Sequence, residues 1–216
     1  LADTDSVIYQ KATAVCCVPM DAVSEEVKSL GGLEAIAGSD VSMADGIYTI
    51  QAPIVIMDDS SFDLYCNQIG VSSAENGTVV LNRIWDNKNS NFRYRKYVPF
   101  LSGNQDTITL QNQKDAAAAV TLPVLGFTQK PPVLREEYDD YTLVQFVSLS
   151  TWKQIQETIG NADPDTYIRI LSEKERTLTE LSVIERELTN ILGHNISFEV
   201  ENRVQEKIDN DAMLNG

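Results

Sequence analysis

Two adjacent carboxylates, Asp58 and Asp59, are the residues of this sequence most suited to acid/base chemistry. Neighbouring carboxyl groups can separate their pKa values and so divide the roles of acid and base. The pair lies, however, between an apolar run and Ser60, and Ser60 with Asp63 has the spacing of a capping box. A negative charge at Asp59 would stabilise a helix start by about 0.3 to 1 kcal/mol. We therefore interpret the pair as the beginning of a helix rather than as a catalytic dyad.

Histidine and cysteine offer little further chemistry. His194 is the only histidine, so a catalytic triad or a histidine-based metal site would have to use it. It follows Gly193, a predicted helix end, where a cation is an ordinary surface feature. Cys16, Cys17 and Cys66 form no CxxC pair, and we favour buried free thiols over a bridge from Cys66 to Cys16 or Cys17. The sequence therefore predicts no enzyme, no metal site and no cofactor in this domain.

Aromatic residues give the one candidate binding surface, which consists of Trp85, Phe92, Tyr94 and Tyr97. Residues 92–97 interleave aromatic and basic side chains, a pattern that can stack on bases, sugars or lipid head groups. Alternation along a strand would place Phe92 and Tyr94 on one face and Tyr97 on the other. Neither face is then wholly aromatic or wholly basic. We therefore favour a strand edge with a structural role over a binding surface.

Composition restricts the class of partner. The chain has 216 residues, 43% of them hydrophobic, and a formal net charge of −15. Such an acidic surface repels phosphate backbones and anionic lipids, so we expect no nucleic-acid partner. No apolar run approaches the roughly 20 residues of a membrane-spanning helix. The sequence begins at Leu1 without a signal-peptide pattern, and we expect it to be a piece of a longer protein.

The elements that must position these residues follow from periodicity. An apolar run over 7–18 predicts a strand, and 20–30 predicts a helix. A hairpin or bulged ribbon is expected within 33–50. Residues 53–57 predict a strand covered on both faces, followed by a helix over 61–69 that ends at Gly70. Residues 141–147 predict a strand near the middle of a sheet, and 149–159 predict a helix that ends at Gly160. No residue-level repeat is visible.

The segment 166–203 has the clearest pattern, strand, helix, strand. Ser172 and Glu175 have the form of a capping box. The helix after them carries an apolar stripe with three- and four-residue spacings, made of Leu178, Leu181, Ile184, Leu188, Ile191 and Leu192. Alternating residues at 168–170 and 196–200 predict the flanking strands, and a last helix is expected from Val204.

Short apolar runs separated by Asn, Asp, Ser and Gly fill residues 77–135, which is typical of a small all-β insertion. We therefore predict an α+β fold in which residues 1–76 and 136–216 form an α/β part and 77–135 form a β-rich inserted subdomain.

Residues 54–62 (IVIMDDSSF), then Tyr65 to Gly70, and the strand 79–82 ending in Asn82 resemble a recurring piece of FtsX/MacB-type ABC transporter permeases. The resemblance implies an extracytoplasmic, MacB-like periplasmic core domain, a porter-like α/β sandwich formed by both ends of the chain. It also implies no catalytic residues, a location at the outer side of the cell membrane, and ATP use by a separate cytoplasmic ATPase subunit. The implied partners are flanking transmembrane helices of the full-length chain, that ATPase, and a peptide, lipid or protein ligand.

Two alternatives stay open. A secreted or lipid-anchored module could bind a peptide or glycan through the aromatic cluster. A hydrolase would need a cleft around His194 or Asp58.

Overall fold

The described residues form ten strands and four α-helices. A computed structural model of the chain describes residues 4–29, 41–74, 76–85, 97–129, 143–160, 164–172 and 177–193. The strands are β1 Thr4–Pro19, β2 Val41–Ala44, β3 Ile47–Met57, β4 Thr78–Leu81, β5 Ile84–Trp85, β6 Tyr97–Val98, β7 Thr107–Gln111, β8 Ala119–Thr128, β9 Val144–Ser148 and β10 Asp165–Ser172. The α-helices are α1 Glu25–Ser29, α2 Asp59–Ile69, α3 Leu149–Ile159 and α4 Leu178–Leu192, and a 3-10 turn spans Met20–Ala22.

Six strands close into a barrel-like sheet. Around the ring, β1 pairs with β7, β7 with β8, β8 with β4, β4 with β9, β9 with β3, and β3 again with β1. The β3–β9 and β4–β8 pairs are parallel and the other four are antiparallel. β2 extends the sheet beside β3, and β10 lies beside β1, where Gln10 donates to Thr166 Oγ1 at 3.2 Å. The predicted mixed α+β class is thus confirmed.

The chain divides into two compact units, residues 7–168 and residues 1–6 with 169–216. The predicted division, in which 77–135 is a β-rich inserted subdomain, stays a prediction. β4, β7 and β8 all come from that segment, yet within the ring β4 is hydrogen bonded to β9 and β7 to β1, and β8 lies between β4 and β7. The alternation of apolar runs with turn residues in 77–135 marks strands and turns, but it does not determine which sheet those strands join.

Two apolar cores lie on opposite faces of the sheet, because side chains alternate along each strand. Ile54 and Ile56 of β3 belong to the larger core, and Val55 and Met57 belong to the smaller one. The prediction of a strand covered on both faces is therefore confirmed. The larger core draws on all six ring strands through Ala14, Cys16, Val18, Ile54, Ile56, Val80, Ile108, Leu110, Leu122 and Val147.

Each core takes one of the two 11-residue helices, and the larger core also takes Val27 of the short α1. α3 buries Trp152, Ile155 and Ile159 in the larger core, and each such side chain contributes about 1.5 to 3 kcal/mol. α2 buries Phe62 and Tyr65 in the smaller core. Both helices match their predicted bounds closely.

Both of these helices also end at the predicted glycines. Gly70 and Gly160 take left-handed φ values of 74° and 61°, a conformation that favours glycine at a helix C-terminus.

Other helix predictions need correction. Of the described residues 20–29, only the 3-10 turn and the five-residue α1 are helical, because Val23 is held by a bridge to Leu101. The cap of α2 is Asp58 rather than Ser60.

The capping box of α4 is also wrong in position. It is formed by Thr177 and Glu180 rather than by Ser172 and Glu175, because strand β10 keeps the chain extended through Ser172.

The second unit contains α4. Its Leu181, Ile184 and Leu188 are half-buried, whereas Ile191, predicted in the same stripe, is exposed. The predictions for His194, for the strand at 196–200 and for the helix from Val204 lie outside the described residues.

Candidate functional site

The most organised polar site is the edge where β3 and β9 end. These strands are parallel neighbours, with Met57 opposite Ser148, so their carboxyl ends lie side by side. Each continues at once into a helix of 11 residues, α2 or α3. Two helix N-termini, with their unsatisfied N–H groups, therefore meet at one edge of the sheet.

Each helix has its own cap. The Asp58 carboxylate accepts hydrogen bonds from Ser61 N at 2.9 Å and from the Ser61 hydroxyl at 2.5 Å. These bonds, the hydroxyl's foremost, lower the pKa of Asp58. At α3 the Ser148 hydroxyl accepts from Thr151 N at 3.0 Å and donates to Thr151 Oγ1 at 3.0 Å.

Asp59 joins the two helices. Its carboxylate accepts from Ser150 N at 3.0 Å and from the Ser150 hydroxyl at 2.6 Å, so an α2 residue satisfies donors at the start of α3. The Ser150 hydroxyl is also the main reason why the pKa of Asp59 is lowered. A dyad that divides acid and base roles needs one raised pKa, whereas both of these carboxyls are held in the ionised form.

The two strand–helix units correspond position by position at a separation of 90 residues. Asp58 matches the cap Ser148, the core residue Phe62 matches Trp152, and Gly70 matches Gly160. Only three of the positions in 53–70 are identical in 143–160, namely Ser60/Ser150, Ile69/Ile159 and Gly70/Gly160. Sequence inspection missed the repeat because caps and core positions keep their roles while the residue types change.

Asn82 has a role that the sequence did not reveal. It follows β4 and is buried. Its amide donates to Leu101 O at 2.9 Å, and its carbonyl oxygen accepts from Phe100 N at 3.0 Å and Leu101 N at 2.8 Å. One side chain therefore fastens the end of β4 to the segment after β6. The only available signal was an asparagine directly after an apolar strand.

Two of the four residues of the predicted aromatic surface, Trp85 and Tyr97, lie on paired strands. Trp85 of β5 and Tyr97 of β6 face each other in the strand register. The guanidinium of the buried Arg83 lies 4.1 Å from the centre of the Tyr97 ring, a cation–π contact that occupies one face of that ring. Phe92, Tyr94 and the Trp85 side chain lie outside the described residues.

All three cysteines are free thiols, so the predicted alternative of a bridge is wrong, and the favoured interpretation of buried free thiols is confirmed for Cys16 and Cys66, whereas Cys17 is half-buried. Cys16 lies in the larger core and Cys66 in the smaller one, on opposite faces of the sheet. Burial raises the pKa of Cys66 to about 11 and also raises the pKa of Cys16 and of Cys17.

The part of the chain that the structure describes holds neither a metal-binding cluster nor a membrane-spanning helix. Within it, no three His, Cys, Asp or Glu side chains are grouped so that they could hold a metal ion. No helix in the same residues is both long enough and apolar enough to cross a membrane.

Comparison with known protein families, with curated proteins and with solved structures finds no match to this chain.

Proposed function

We propose that this chain is a non-catalytic extracytoplasmic domain of an FtsX/MacB-type ABC transporter permease, which couples movement or recognises a substrate or partner outside the membrane. The observation that carries the proposal is the structural role of the residues behind the resemblance. Asp58 caps α2, Phe62 anchors that helix in the smaller core, and Asn82 fastens β4. A motif that builds a scaffold fits a domain without chemistry of its own.

The proposal includes the partners that such a domain requires. They are transmembrane helices that flank this segment in the full-length chain and a cytoplasmic ATPase subunit, which alone would use ATP. The chain would lie at the outer side of the cell membrane.

The finer architecture is also proposed here. The β3–α2 and β9–α3 units would be the counterpart of the porter-like α/β sandwich. The strands from 77–135 would be the counterpart of its β-rich part, joined to it in one sheet.

Location is tested by labelling the full-length gene product in intact cells with a membrane-impermeant maleimide. Lys114 is exposed in the turn after β7, so the variant Lys114→Cys supplies an accessible thiol. The native thiols give little background, because burial raises their pKa values and maleimides react with thiolates. We expect Lys114→Cys, but not the parent chain, to be labelled without lysis. Labelling only after lysis would overturn the proposal.

A secreted or lipid-anchored binding module is the second candidate. The observation in its favour is the Trp85–Tyr97 register pair with Arg83 against the Tyr97 ring. Such a module is also labelled from outside, so the flanking coding sequence separates the two. A permease requires an apolar span of about 20 residues on each side of this segment, whereas the module requires one N-terminal anchor or signal and none afterwards.

A further inference from the structure

The pair Asn76-Gly77 lies directly before β4 and joins two residue types that favour loss of a side-chain amide. In such a pair the backbone nitrogen of the glycine can attack the side-chain carbonyl carbon of the asparagine and close a succinimide ring. Any other following residue carries a Cβ that hinders this approach, whereas glycine has none. The residue types therefore suit a spontaneous modification, and the surrounding structure decides whether the groups can react.

Both reacting groups are available. Asn76 is exposed and lies outside the helices and strands, in the segment between α2 and β4. Among the described residues, the Gly77 N–H donates to no backbone oxygen, so no such bond holds the attacking nitrogen away from the side chain. Water reaches an exposed side chain and can hydrolyse the ring after it forms.

Packing against β8 requires glycine at position 77. Gly77 is buried, and a Cβ there would lie 2.6 Å from the backbone oxygen of Pro123 and 2.8 Å from Cδ2 of Leu125. A larger residue, which would protect Asn76 from attack, therefore cannot fit unless β8 moves. The reactive pair thus follows from the close approach of the chain to β8.

The residues that follow the pair lie inside the sheet. All four residues of β4 are buried, and β4 is hydrogen bonded to β8 on one side and to β9 on the other. The hydroxyl of its first residue, Thr78, donates to Oε1 of the buried Gln145 at 3.0 Å. A longer backbone at position 76 would shift Thr78 against both neighbouring strands.

We propose that Asn76 is a site of spontaneous deamidation, and that one of its two products loosens the start of β4. The Gly77 nitrogen loses its proton and forms a bond to Cγ of Asn76, while the bond from Cγ to the amide nitrogen breaks and ammonia leaves. Water then opens the ring. Addition of water at Cγ gives aspartate. Addition at the backbone carbonyl gives isoaspartate, whose main chain runs through Cβ and is longer by one methylene.

This chemistry needs only the folded chain and water, so the inference does not depend on the function proposed above.

The first test follows the amide itself. The 216-residue chain is incubated at mildly alkaline pH and mapped by mass spectrometry, with isoaspartate counted by enzymatic methylation. We expect Asn76 to be converted at least about tenfold faster than Asn104, which is also exposed and irregular but precedes glutamine. Asn76→Gln should keep its amide, because the longer side chain closes a larger ring more slowly. Equal rates at Asn76 and Asn104 would overturn the proposal.

A synthetic peptide of residues 71–81 separates the effect of the fold from that of the residue types. We expect both the peptide and the folded chain to lose the Asn76 amide. Conversion of the peptide while the folded chain stays intact would show that the fold protects Asn76, and the proposal would then be wrong.

The second test measures the effect of the longer backbone. The isoaspartate form is separated from the incubated chain by ion exchange, and its amide hydrogen exchange is compared with that of fresh protein. We expect the β4 amides to exchange at least about tenfold faster. Fresh Asn76→Asp, which has the same charge without the extra methylene, should keep their protection. Unchanged exchange in the isoaspartate form, or an equal loss of protection in Asn76→Asp, would contradict the role of the backbone.

Discussion

The carboxylate of Asp59 on α2 accepts two hydrogen bonds from Ser150 on α3, one from its backbone N–H at 3.0 Å and one from its hydroxyl at 2.6 Å. The two helices pack into different cores on opposite faces of the sheet. Because β3 and β9 are parallel neighbours, this contact joins the two strand–helix units at their common edge. It is a polar link that holds the starts of both helices together.

Asp59→Ala should destabilise the fold by about 1 kcal/mol, since it removes a carboxylate that satisfies helix N-terminal donors. Urea unfolding measures the change. Asp63→Ala is the control, because Asp63 is exposed on the same helix and should cost less than about 0.5 kcal/mol. In a double-mutant cycle with Ser150→Ala, we expect a coupling above about 0.5 kcal/mol. Strict additivity would show that the bond contributes nothing.

Stability should fall in acid through Asp58 and Asp59. Both carboxyls have a lower pKa in the folded chain than their ordinary value, so the unfolded chain binds protons first as pH falls. The stabilisation is present above the unfolded pKa and is lost progressively below about pH 5. Urea titrations between about pH 3 and pH 6 should therefore show a smaller acid loss in Asp58→Asn/Asp59→Asn than in the parent chain. An unchanged slope would contradict this assignment.

Asn82→Ala should cost about 2 kcal/mol or more, because it leaves Phe100 N, Leu101 N and Leu101 O without the buried partner they now share. Hydrogen exchange gives a local readout, and the amides of Phe100 and Leu101 should lose protection. Asn104→Ala, at an exposed position of the same segment, should be nearly neutral. Equal effects of the two substitutions would refute the fastening role.

Gly77→Ala should destabilise more than Gly126→Ala. A Cβ at Gly77 would lie 2.6 Å from the backbone oxygen of Pro123, whereas one at Gly126 would lie 2.6 Å from a methyl group of Val71. A side chain can shift more easily than backbone, so we expect about 1 to 3 kcal/mol at Gly77 and less at Gly126. Urea unfolding of both variants checks the order. The reverse order would mean that β8 yields more readily than Val71.

Native thiols should react slowly with a disulfide reagent such as Ellman's. Cys16 and Cys66 are buried, and burial raises the pKa of all three cysteines, which keeps the reactive thiolate scarce. The half-buried Cys17 should react first, and the other two only after urea is added. Comparison of the parent chain with Cys17→Ser assigns the first phase. Rapid reaction of three thiols in the folded chain would contradict the burial of Cys16 and Cys66.

Much of the local structure was predictable. The apolar run of β3, the period of α2 and α3, and the stops at Gly70 and Gly160 all follow from neighbouring residues, because helix period and left-handed caps are local properties. Asp58 and Asp59 do lie at the start of a helix, as predicted, although the cap is Asp58 and not Ser60. Of the candidate aromatic surface, only the facing of Trp85 and Tyr97 is described.

Predictions from local patterns were wrong where strand pairing with residues distant in the sequence competed with helix formation. Ser172 and Glu175 have the spacing of a capping box, but β10 continues through Ser172, so sheet formation took precedence over a helix start. The 20–30 segment shows the same conflict, since the bridge from Val23 to Leu101 interrupts its helical period.

By itself, the sequence determined where most strands and helices lie and which of their faces are apolar, since those properties depend on residues a few positions apart. Only the tertiary structure decided that six strands close into one ring, that Asp59 binds a residue 91 positions away, and that Asn82 holds the segment after β6. Many apolar strands could pair with one another equally well. The choice among them is made by packing of the complete chain, in which each buried polar group must find its partner.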